Sequence, residues 1–383
     1  MAGPVGGPLP VDANGWRTRA RTFAEERVAP LAERIDREDR IPDELVRGLA
    51  EEGFLGLGSP PQWDGTGGDT RSTVAVLEEL CRASASIGVL VAVHLSVCSA
   101  PIFAWGTDVQ RERFLRPLAR GEQIGAFALT EPNAGSDAAS LRTRYSSVAD
   151  GFVLRGSKTF ISNAVSAGVV LVFATSDPTL GHKGISAFIV PPGTTGFSVA
   201  QRFEKLGMRG SETAELVLSD AHLPPECLLG REGEGLRIAL GALQGGRVGI
   251  ASCALGVAEA AFAELLRSVT ADDADWKRTI VARAFADLAS ARALVARAAE
   301  AKDTGAPYVM DASVAKLVAS RAAVQIAAAG VDVAGRAGMR AGSRAERLLR
   351  DARVFPIVEG TTEIQELILA RNLLSSESGR NPL

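Results

Sequence analysis

The residue types that most often do chemistry are few and scattered in this chain. Its three histidines, His94, His182 and His222, lie far apart in the sequence. A histidine-rich metal site or a Ser-His-Asp triad needs such residues to converge, and most lone histidines are structural or surface residues. We therefore expect neither kind of site, and no bound metal.

A loop of small residues between Phe127 and Asp137 (FALTEPNAGSD) is the first candidate for ligand binding. A predicted strand ends at Leu129, directly before it. Glycine and small polar side chains let backbone amides and hydroxyls approach a flat or phosphorylated ligand closely. Composition alone leaves two interpretations open, an ordinary loop or a ligand-binding loop.

Asp150 to Thr159 (DGFVLRGSKT) has a faint likeness to a phosphate-binding loop. Its lysine is one position late, and the segment continues into a predicted strand instead of a helix. We expect no nucleotide-binding site of that kind there.

Composition and charge exclude several classes of protein. Apolar residues make up 46% of the 383 residues and charged residues 23%, the balance of a globular protein with two or three packed units. Lysine plus arginine number 42 and aspartate plus glutamate 45, so the net charge of −3 favours neither nucleic acid nor a membrane surface as a partner. The longest apolar stretch, Ile87 to Val93, is too short to span a bilayer.

The cysteines and the first residues indicate the compartment. Cys81, Cys98, Cys227 and Cys253 are scattered, which is typical of a reduced protein and not of a disulfide or zinc framework. Residues 1–10 are small and neutral, with no basic region ahead of an apolar run. We expect a soluble, cytoplasmic protein.

Three stretches with different hydrophobic periods must position any site. Residues 1–122 have helical spacing of apolar side chains, and residues 123–231 contain short runs rich in β-branched or aromatic residues. Residues 232–383 return to long alanine-rich helices. We predict an α+β protein with an N-terminal all-α domain, a middle β domain and a C-terminal helical domain over these ranges.

Turn and cap signals place the elements within these domains. Asp150-Gly151 is a hairpin signal, and the last helix starts near Thr362, whose spacing to Gln365 matches a capping box. The predicted strands are Gly125–Thr130, Tyr145–Ala149, Phe152–Ser162, Val169–Thr175 and Ile185–Val190. The earlier C-terminal helices are predicted at Leu236–Val269, Trp276–Ala301, Ala312–Ala334 and Arg344–Arg350.

Five motifs follow one another between residues 128 and 372. They are ALTEPNAGSD (128–137), KTFISN (158–163), KLGMRGSETAELVLSDA (205–221), GRVGIASCALG (246–256) and RDARVFPIVEGTTEIQELILARN (350–372). Together they resemble the signature segments of the acyl-CoA dehydrogenase family, and the helical-β-helical order fits that fold independently. The resemblance implies a middle β-barrel or sandwich domain and a C-terminal four-helix-bundle domain.

The resemblance implies an FAD site whose flavin ring lies between the β domain and the C-terminal helices. An aromatic ring at Phe160 can pack on the flavin, and the Ser162 hydroxyl, where the family commonly has threonine, can hydrogen-bond the ring edge. The expected cofactor contacts are Phe127, Leu129, Thr130, Ser136, Phe160, Ser162, Arg336, Thr361 and Glu363, of which Arg336 departs from the family pattern.

Glu359 matches the catalytic carboxylate of the family. The resemblance implies that it removes the α-proton of an acyl thioester while the β-hydride passes to the flavin, with the thioester oxygen polarised by a ribityl hydroxyl and the glutamate N–H. An exposed glutamate, with a pKa of about 4.3, is a weak base, and burial beside a flavin and an acyl chain raises that pKa. Some relatives carry the base at the position of Gly246, which has no carboxylate here. The alternative for Glu359 is a surface residue near a helix start.

Two segments depart from the family pattern, both on the adenosine side of the cofactor. Leu266 to Trp276 (LRSVTADDADW) lacks the usual Phe-Gly, and Asp332 and Arg336 replace a glutamine and a glycine. An aspartate near a pyrophosphate is unfavourable, whereas the Arg336 guanidinium pairs well with phosphate. We predict that FAD binds through altered contacts.

A third departure leaves the thioester carrier open. Gln244 stands where the family commonly has an aspartate that meets the pantetheine arm. The other expected substrate contacts are Ser136, Arg247 and Gly360. The carrier is coenzyme A or the phosphopantetheine of an acyl carrier protein, and we favour coenzyme A.

Three functions fit these residues. The leading hypothesis is an acyl-CoA dehydrogenase of fatty acid metabolism that passes electrons to an electron-transferring flavoprotein. The second is an acyl-carrier-protein-linked dehydrogenase or oxidase, or a flavin-dependent isomerase, of a biosynthetic pathway. The third is a redox-inactive binding subunit with the family fold. The resemblance also implies a homotetramer, with a dimer as the alternative because the altered motifs lie at the subunit junction.

Overall fold

Short helices build the N-terminal part of the chain. The computed structural model describes residues 12–374. Asp12 and Asp69 cap two of these helices, since each carboxylate accepts a backbone N–H three residues ahead. The helices are α1 (Ala13–Phe23), α2 (Ala32–Glu38), α3 (Asp43–Glu51), α4 (Thr70–Ala83), α5 (Ala85–Val93), α6 (Ala100–Trp105), α7 (Asp108–Gln110) and α8 (Arg116–Ala119). Wider π-helical turns extend or connect them at Ala24–Val28, His94–Ser99 and Arg111–Leu115.

One mixed sheet forms the middle of the chain. Its strand order is β6-β7-β3-β2-β4-β5-β8, and β1 pairs in parallel with β4. The strands are β1 (Ile124–Ala128), β2 (Arg144–Val148), β3 (Gly151–Ser162), β4 (Ala167–Thr175), β5 (Ile185–Val190), β6 (Phe197–Arg202), β7 (Thr213–Leu223) and β8 (Leu228–Leu229). The five predicted strands correspond to β1–β5, whereas β6, β7 and β8 were not predicted.

The hairpin signal is correct to within one residue. β2 and β3 are antiparallel neighbours, and Val148 pairs with Gly151. Ala149 and Asp150 are therefore the turn residues, and Gly151, with a φ of +145°, already belongs to β3. The segment with a likeness to a phosphate loop lies on this strand, as its sequence predicts.

Long helices return after the sheet, which confirms the predicted α+β order. They are α9 (Gly235–Arg267), α10 (Asp275–Asp303), α11 (Val309–Ala334), α12 (Arg344–Ala352) and α13 (Thr362–Leu374). Alanine and glycine on α9 let it pass through the centre of the core against α4, α5 and α11. The predicted capping box at Thr362 is wrong. Thr361 is the residue whose hydroxyl accepts the Ile364 N–H, and the Gln365 side chain bonds Gly360 instead.

Three helical segments are long and apolar enough to cross a membrane by length and composition. They are Ala85–Trp105, which includes the apolar stretch at Ile87, Gly235–Arg267 and Val309–Ala334. The most apolar window of each is 78%, 78% and 50% buried inside the protein. Packing inside the protein covers most of the first two windows and half of the third. The expectation that the apolar stretch at Ile87 is too short to span a bilayer did not consider the longer helical segment, Ala85–Trp105, that contains it.

His94 joins the N-terminal helices to the sheet. Its Nδ1 accepts the Gly125 N–H at 3.1 Å, so the Nε2–H donates to the Leu55 carbonyl at 3.0 Å. Complete burial lowers the pKa of His94 from 6.5 to about 4, because the charged imidazolium is poorly solvated there. Only the neutral ring fits both hydrogen bonds.

The His94 contacts predict a specific loss of stability in acid. The folded-state pKa lies below the unfolded value, so this contribution is complete above pH 6.5 and is lost as the pH falls towards 4. The shift corresponds to about 3 kcal/mol of unfolding free energy. His94→Gln is expected to be less stable at neutral pH, but its urea unfolding midpoint should fall less than that of the wild type between about pH 7.5 and about pH 4.5. Equal falls in both proteins would contradict this account.

Candidate active site

Glu359 lies on a strained turn between α12 and α13. Its φ is +53° and that of Gly360 is +91°, so two successive residues adopt left-handed backbone. This conformation is unfavourable for a residue with a side chain, and strained residues of this kind cluster at functional sites. The Glu359 Oε2 atom is buried and has no hydrogen-bond partner among residues 12–374. A buried, unsatisfied carboxylate oxygen is costly, which makes Glu359 a candidate functional residue.

The carboxylate of Glu359 rests against α9 at Gly246. A Cβ atom placed on Gly246 would lie 1.8 Å from Oε2 and 2.7 Å from Cδ. The absence of a side chain at Gly246 therefore leaves the space that this carboxylate occupies. The position at which some relatives carry a base and the position of Glu359 thus meet at one point in space.

Two cations oppose the effect of burial on the pKa of Glu359. Burial raises the pKa of Glu359 to about 8, while the charges of Arg247 on α9 and Lys316 on α11 act in the opposite direction. Burial also lowers the pKa of Lys316 to about 8. A carboxylate with a pKa near the working pH is an effective general base.

A buried ion pair shapes the loop after β1. The Lys158 ammonium, fully buried on β3, donates to the Leu129 carbonyl at 3.0 Å and to Glu131 Oε1 at 2.7 Å. The Glu131 carboxylate also accepts the backbone N–H groups of Arg142 and Thr143, at 2.6 Å and 2.9 Å. Both charges are thus satisfied, as buried charges must be. The contacts of Lys158 with Leu129 and Glu131 therefore fix the start of the loop from Thr130 to Ser136.

A β-bulge presents Phe160 to the outside of the sheet. The register between β3 and β7 shifts between Lys158 and Ile161, and Phe160 within the bulge has a φ of +57°. Its ring is 64% exposed and packs at 5.0 Å from the ring of Phe203. Ser162, two residues on, is partly buried at the end of the strand. An exposed aromatic ring held on strained backbone is a surface prepared for a flat ligand.

A cavity of about 590 Å³ opens between the Ser136 loop and the C-terminal helices. It includes three of the four predicted substrate contacts, Ser136, Gln244 and Arg247. Gly360 does not line it, but lies close by in the turn before α13. The remaining lining residues are Asp137, Leu240, Val309, Ile364, Ile368 and Arg371. The volume and the mixed polar and apolar walls suit an extended organic ligand.

The other predicted cofactor contacts have different surroundings. The Phe127 ring lies 5.0 Å from that of Phe173 and is partly buried, so it belongs mainly to the packing behind the loop. Leu129 is buried and offers its carbonyl to Lys158, while the Thr130 carbonyl accepts the Thr159 N–H at 2.9 Å.

The predicted contacts at the two helix termini fall into separate groups. Thr361 and Glu363 stand at the start of α13, two and four residues after Glu359. Arg336 and Asp332 are exposed at the other end of the C-terminal helices, around the end of α11. The structure does not bring these last two residues to the Glu359 site.

Three residues of the site were not predicted from the sequence. Lys316 and Gln365, both fully buried, hydrogen-bond the Gly360 carbonyl, and Glu131 pairs with Lys158. A single lysine within the apolar, alanine-rich sequence of α11 was a usable signal, since lysine is almost never fully buried without a partner. Glu131 gave no comparable signal.

The residues at the ring end fit a flavin. The exposed ring of Phe160 offers a flat apolar surface, the partly buried hydroxyl of Ser162 offers a hydrogen-bond partner, and the unsatisfied Oε2 of Glu359 marks a reacting position. Arg336, the cation expected at the adenosine end of the cofactor, is exposed. The chain thus offers a base at Glu359 and an exposed aromatic surface for a flat ligand at Phe160.

Comparisons with known proteins identify the family. Family models match residues 12–122 (acyl-CoA dehydrogenase, N-terminal domain), 126–221 (middle domain) and 233–374 (C-terminal domain). A relative from Clostridium acetobutylicum, "Acyl-CoA dehydrogenase, short-chain specific", is 40% identical over 363 residues, covering 92% of this chain and 96% of its own.

Two solved structures have the same fold over nearly all of both chains. Butyryl-CoA dehydrogenase from Megasphaera elsdenii has a TM-score of 0.92 and 36% identity, covering 97% of this chain and 100% of its own. A chain in a structure reported for the electron-transferring flavoprotein of Acidaminococcus fermentans has a TM-score of 0.93 and 35% identity, with the same coverage. The chain belongs to the acyl-CoA dehydrogenase family and is a flavin-dependent oxidoreductase that dehydrogenates acyl-CoA thioesters.

Proposed function

We propose that the chain oxidises short-chain acyl-CoA to trans-2-enoyl-CoA, with FAD as cofactor and Glu359 as the base. The observation that carries this proposal is the buried, unsatisfied Oε2 of Glu359 against Gly246. Gln244 and Arg247, on the same turn of α9, line the cavity. A thioester arm in the cavity therefore leads towards the carboxylate.

Glu359 takes the α-proton of the thioester onto Oε2 in this proposal. Burial raises the pKa of Glu359 to about 8, so the carboxylate binds a proton far more strongly than an exposed glutamate does. Arg247 and Lys316 keep part of the group ionised near neutral pH. Its activity as a base should increase as the pH rises towards 8, because only the ionised form accepts a proton.

A flavin, when bound, supplies the acceptor for the hydride that leaves the β-carbon. On this chain Phe160 and Ser162 would hold its ring, with Thr130, Ser136, Thr361 and Glu363 around it. Arg336 would meet the pyrophosphate in place of the family's usual residues, because guanidinium pairs well with phosphate. The ring-side fit is the reason to propose a bound flavin, and the altered adenosine side is the reason to propose FAD with changed contacts.

A short acyl chain is proposed from the packing of α9 one turn beyond Gly246. A Cβ atom on Gly249 would lie 3.1 Å from Ser96 Oγ and 3.6 Å from a methyl carbon of Leu77. The helix therefore approaches its neighbours closely there, which leaves little room for a long chain along this face. The short-chain specificity named for the Clostridium relative is consistent with this limit.

The proposed partner for reoxidation is an electron-transferring flavoprotein. The similarity to a chain in a structure of such a flavoprotein supports this choice. A homo-oligomer, tetramer or dimer, is proposed because large apolar side chains such as Leu266 and Phe285 are exposed on the C-terminal helices. A cytoplasmic location is proposed from the four free, buried cysteines.

Reduction of the purified protein by butyryl-CoA tests the proposal. The protein is expected to be yellow, and anaerobic addition of butyryl-CoA should bleach the flavin absorbance. Hexadecanoyl-CoA should bleach it at least about tenfold more slowly, because its chain does not fit. If the butyryl thioester of an acyl carrier protein bleaches the flavin and butyryl-CoA does not, the carrier is the acyl carrier protein and not coenzyme A. A colourless protein that takes up no FAD would contradict the redox function altogether.

A further inference from the structure

The turn that carries Glu359 is fixed at the next carbonyl. Gly360 offers its C=O to two side-chain donors, the Lys316 ammonium at 2.7 Å and the Gln365 amide at 2.9 Å. Lys316 comes from α11 and Gln365 from the first turn of α13, and both are fully buried. We call these two donors the Gly360 clamp. The clamp holds the carbonyl of the residue after Glu359, and its two donors come from two different helices.

The clamp has a reason to exist, because the turn is strained. Glu359 and Gly360 are both left-handed, and a glutamate adopts this backbone only when its surroundings over-determine it. The Glu359 side chain makes no compensating hydrogen bond through Oε2 within residues 12–374. The bonds that fix the turn are therefore those of its backbone, namely the two clamp bonds to the Gly360 carbonyl and the Thr362 N–H bond to the Pro356 carbonyl at 2.9 Å. Losing a clamp donor should let the turn relax and the carboxylate leave Gly246.

Lys316 also brings a positive charge from α11 to this turn. The charged and titratable groups that face the carboxylate are Arg247 from α9 and Lys316 from α11, while Tyr308 lies by Arg247 and Glu363 on α13 lies by Lys316. Glu359 and Glu363 each favour the charged form of Lys316, against its burial. Removing the ammonium would leave Arg247 as the remaining cation that favours the ionised form of Glu359.

We propose that Lys316 and Gln365 are positioning residues for the base. Both hold the carboxylate of Glu359 against Gly246 through the Gly360 carbonyl, and the charge of Lys316 in addition favours the ionised form of that carboxylate. The inference rests on the proposed role of Glu359 and assigns no substrate contact to either residue. Lys316 acts through geometry and charge, whereas Gln365 acts through geometry alone.

Stopped-flow bleaching by butyryl-CoA as a function of pH separates the two effects. Lys316→Met removes the donor and the charge, so the maximal rate should fall about tenfold to a hundredfold, as for a displaced catalytic group. The midpoint of its pH profile should also rise by about one unit, because an opposite charge is lost. Gln365→Leu should lower the maximal rate by about tenfold and leave the midpoint unchanged.

Lys316→Gln distinguishes charge from hydrogen bonding. It keeps a donor and loses the charge, so its midpoint should rise while its maximal rate stays close to that of the wild type. Lys205→Met is the matched control, because Lys205 also has a pKa lowered by burial and donates to a backbone carbonyl, that of Arg209, in the β domain. It should change neither quantity. Unaltered flavin absorbance in each variant shows that the fold and the cofactor are retained.

Clear outcomes overturn the proposal. Lys316→Met and Gln365→Leu with wild-type rates and midpoints would show that the clamp does not position the base. If Lys316→Met does not fold, a wild-type midpoint in Lys316→Gln together with a wild-type rate in Gln365→Leu would overturn the proposal. Glu359→Gln, measured alongside, separates the two levels of inference. If that variant still bleaches, the proposed function is wrong; if it does not bleach and the clamp variants are normal, only the clamp is wrong.

Discussion

Replacing Glu359 by glutamine is expected to slow bleaching by butyryl-CoA at least about a hundredfold, because a general base contributes about a hundredfold to ten-thousandfold. The amide has the shape of the carboxylate but accepts no proton from the α-carbon. The backbone of the turn and the contact with Gly246 remain, since neither depends on the charge. Flavin absorbance should therefore be retained, and stopped-flow spectroscopy measures the loss of rate directly.

The control for this substitution is Glu366→Gln on α13. Glu366 is exposed and pairs with Arg321 at the surface, so loss of its charge should leave the bleaching rate unchanged. The wild-type rate should increase with pH and level off above about pH 8, in line with the raised pKa of Glu359. A Glu359→Gln variant that bleaches at the wild-type rate would mean that another group removes the proton.

The order of helices, sheet and helices could be predicted because hydrophobic period is a local property. The alanine-rich helices α9 to α11 were predicted to within a few residues of their ends. β7 (Thr213–Leu223) was missed although its buried and exposed residues largely alternate, because its polar residues resemble a loop. β8 is too short to have a pattern, since two residues define no period.

The candidate site could be predicted only where its residues stand together in a motif. Glu359 and the loop after β1 are such cases. The contact between Glu359 and Gly246 and the bonds from Lys316 and Gln365 to Gly360 arise from packing between α9, α11 and α13. No local pattern specifies the Gly246 contact or the Lys316 bond, because each joins residues far apart in the chain. The Gln365 bond spans five residues across the start of α13. The strained backbone of Phe160 is equally a product of the register between β3 and β7.

Adding one methyl group to Gly246 is expected to lower the bleaching rate at least about a hundredfold, since displacing a reacting group by about 1 Å has an effect of that size. A Cβ at this position would lie 1.8 Å from Oε2 of Glu359, too close for any contact. The Glu359 side chain has a flexible end that can move away, so the carboxylate shifts and the fold does not. Alanine is also favoured over glycine within a helix by up to about 1 kcal/mol, so the free energy of unfolding should not decrease.

The control for Gly246→Ala is Gly241→Ala, on the same helix. A Cβ on Gly241 would meet no atom within 4 Å, and the residue is exposed, so this variant gains the helix preference without a new contact. It should bleach at the wild-type rate and melt at an equal or higher temperature. Gly246→Ala should match it in melting temperature and flavin content while losing activity. Normal bleaching by Gly246→Ala would show that the carboxylate does not act from its position against α9, because that position no longer exists once the methyl group is present.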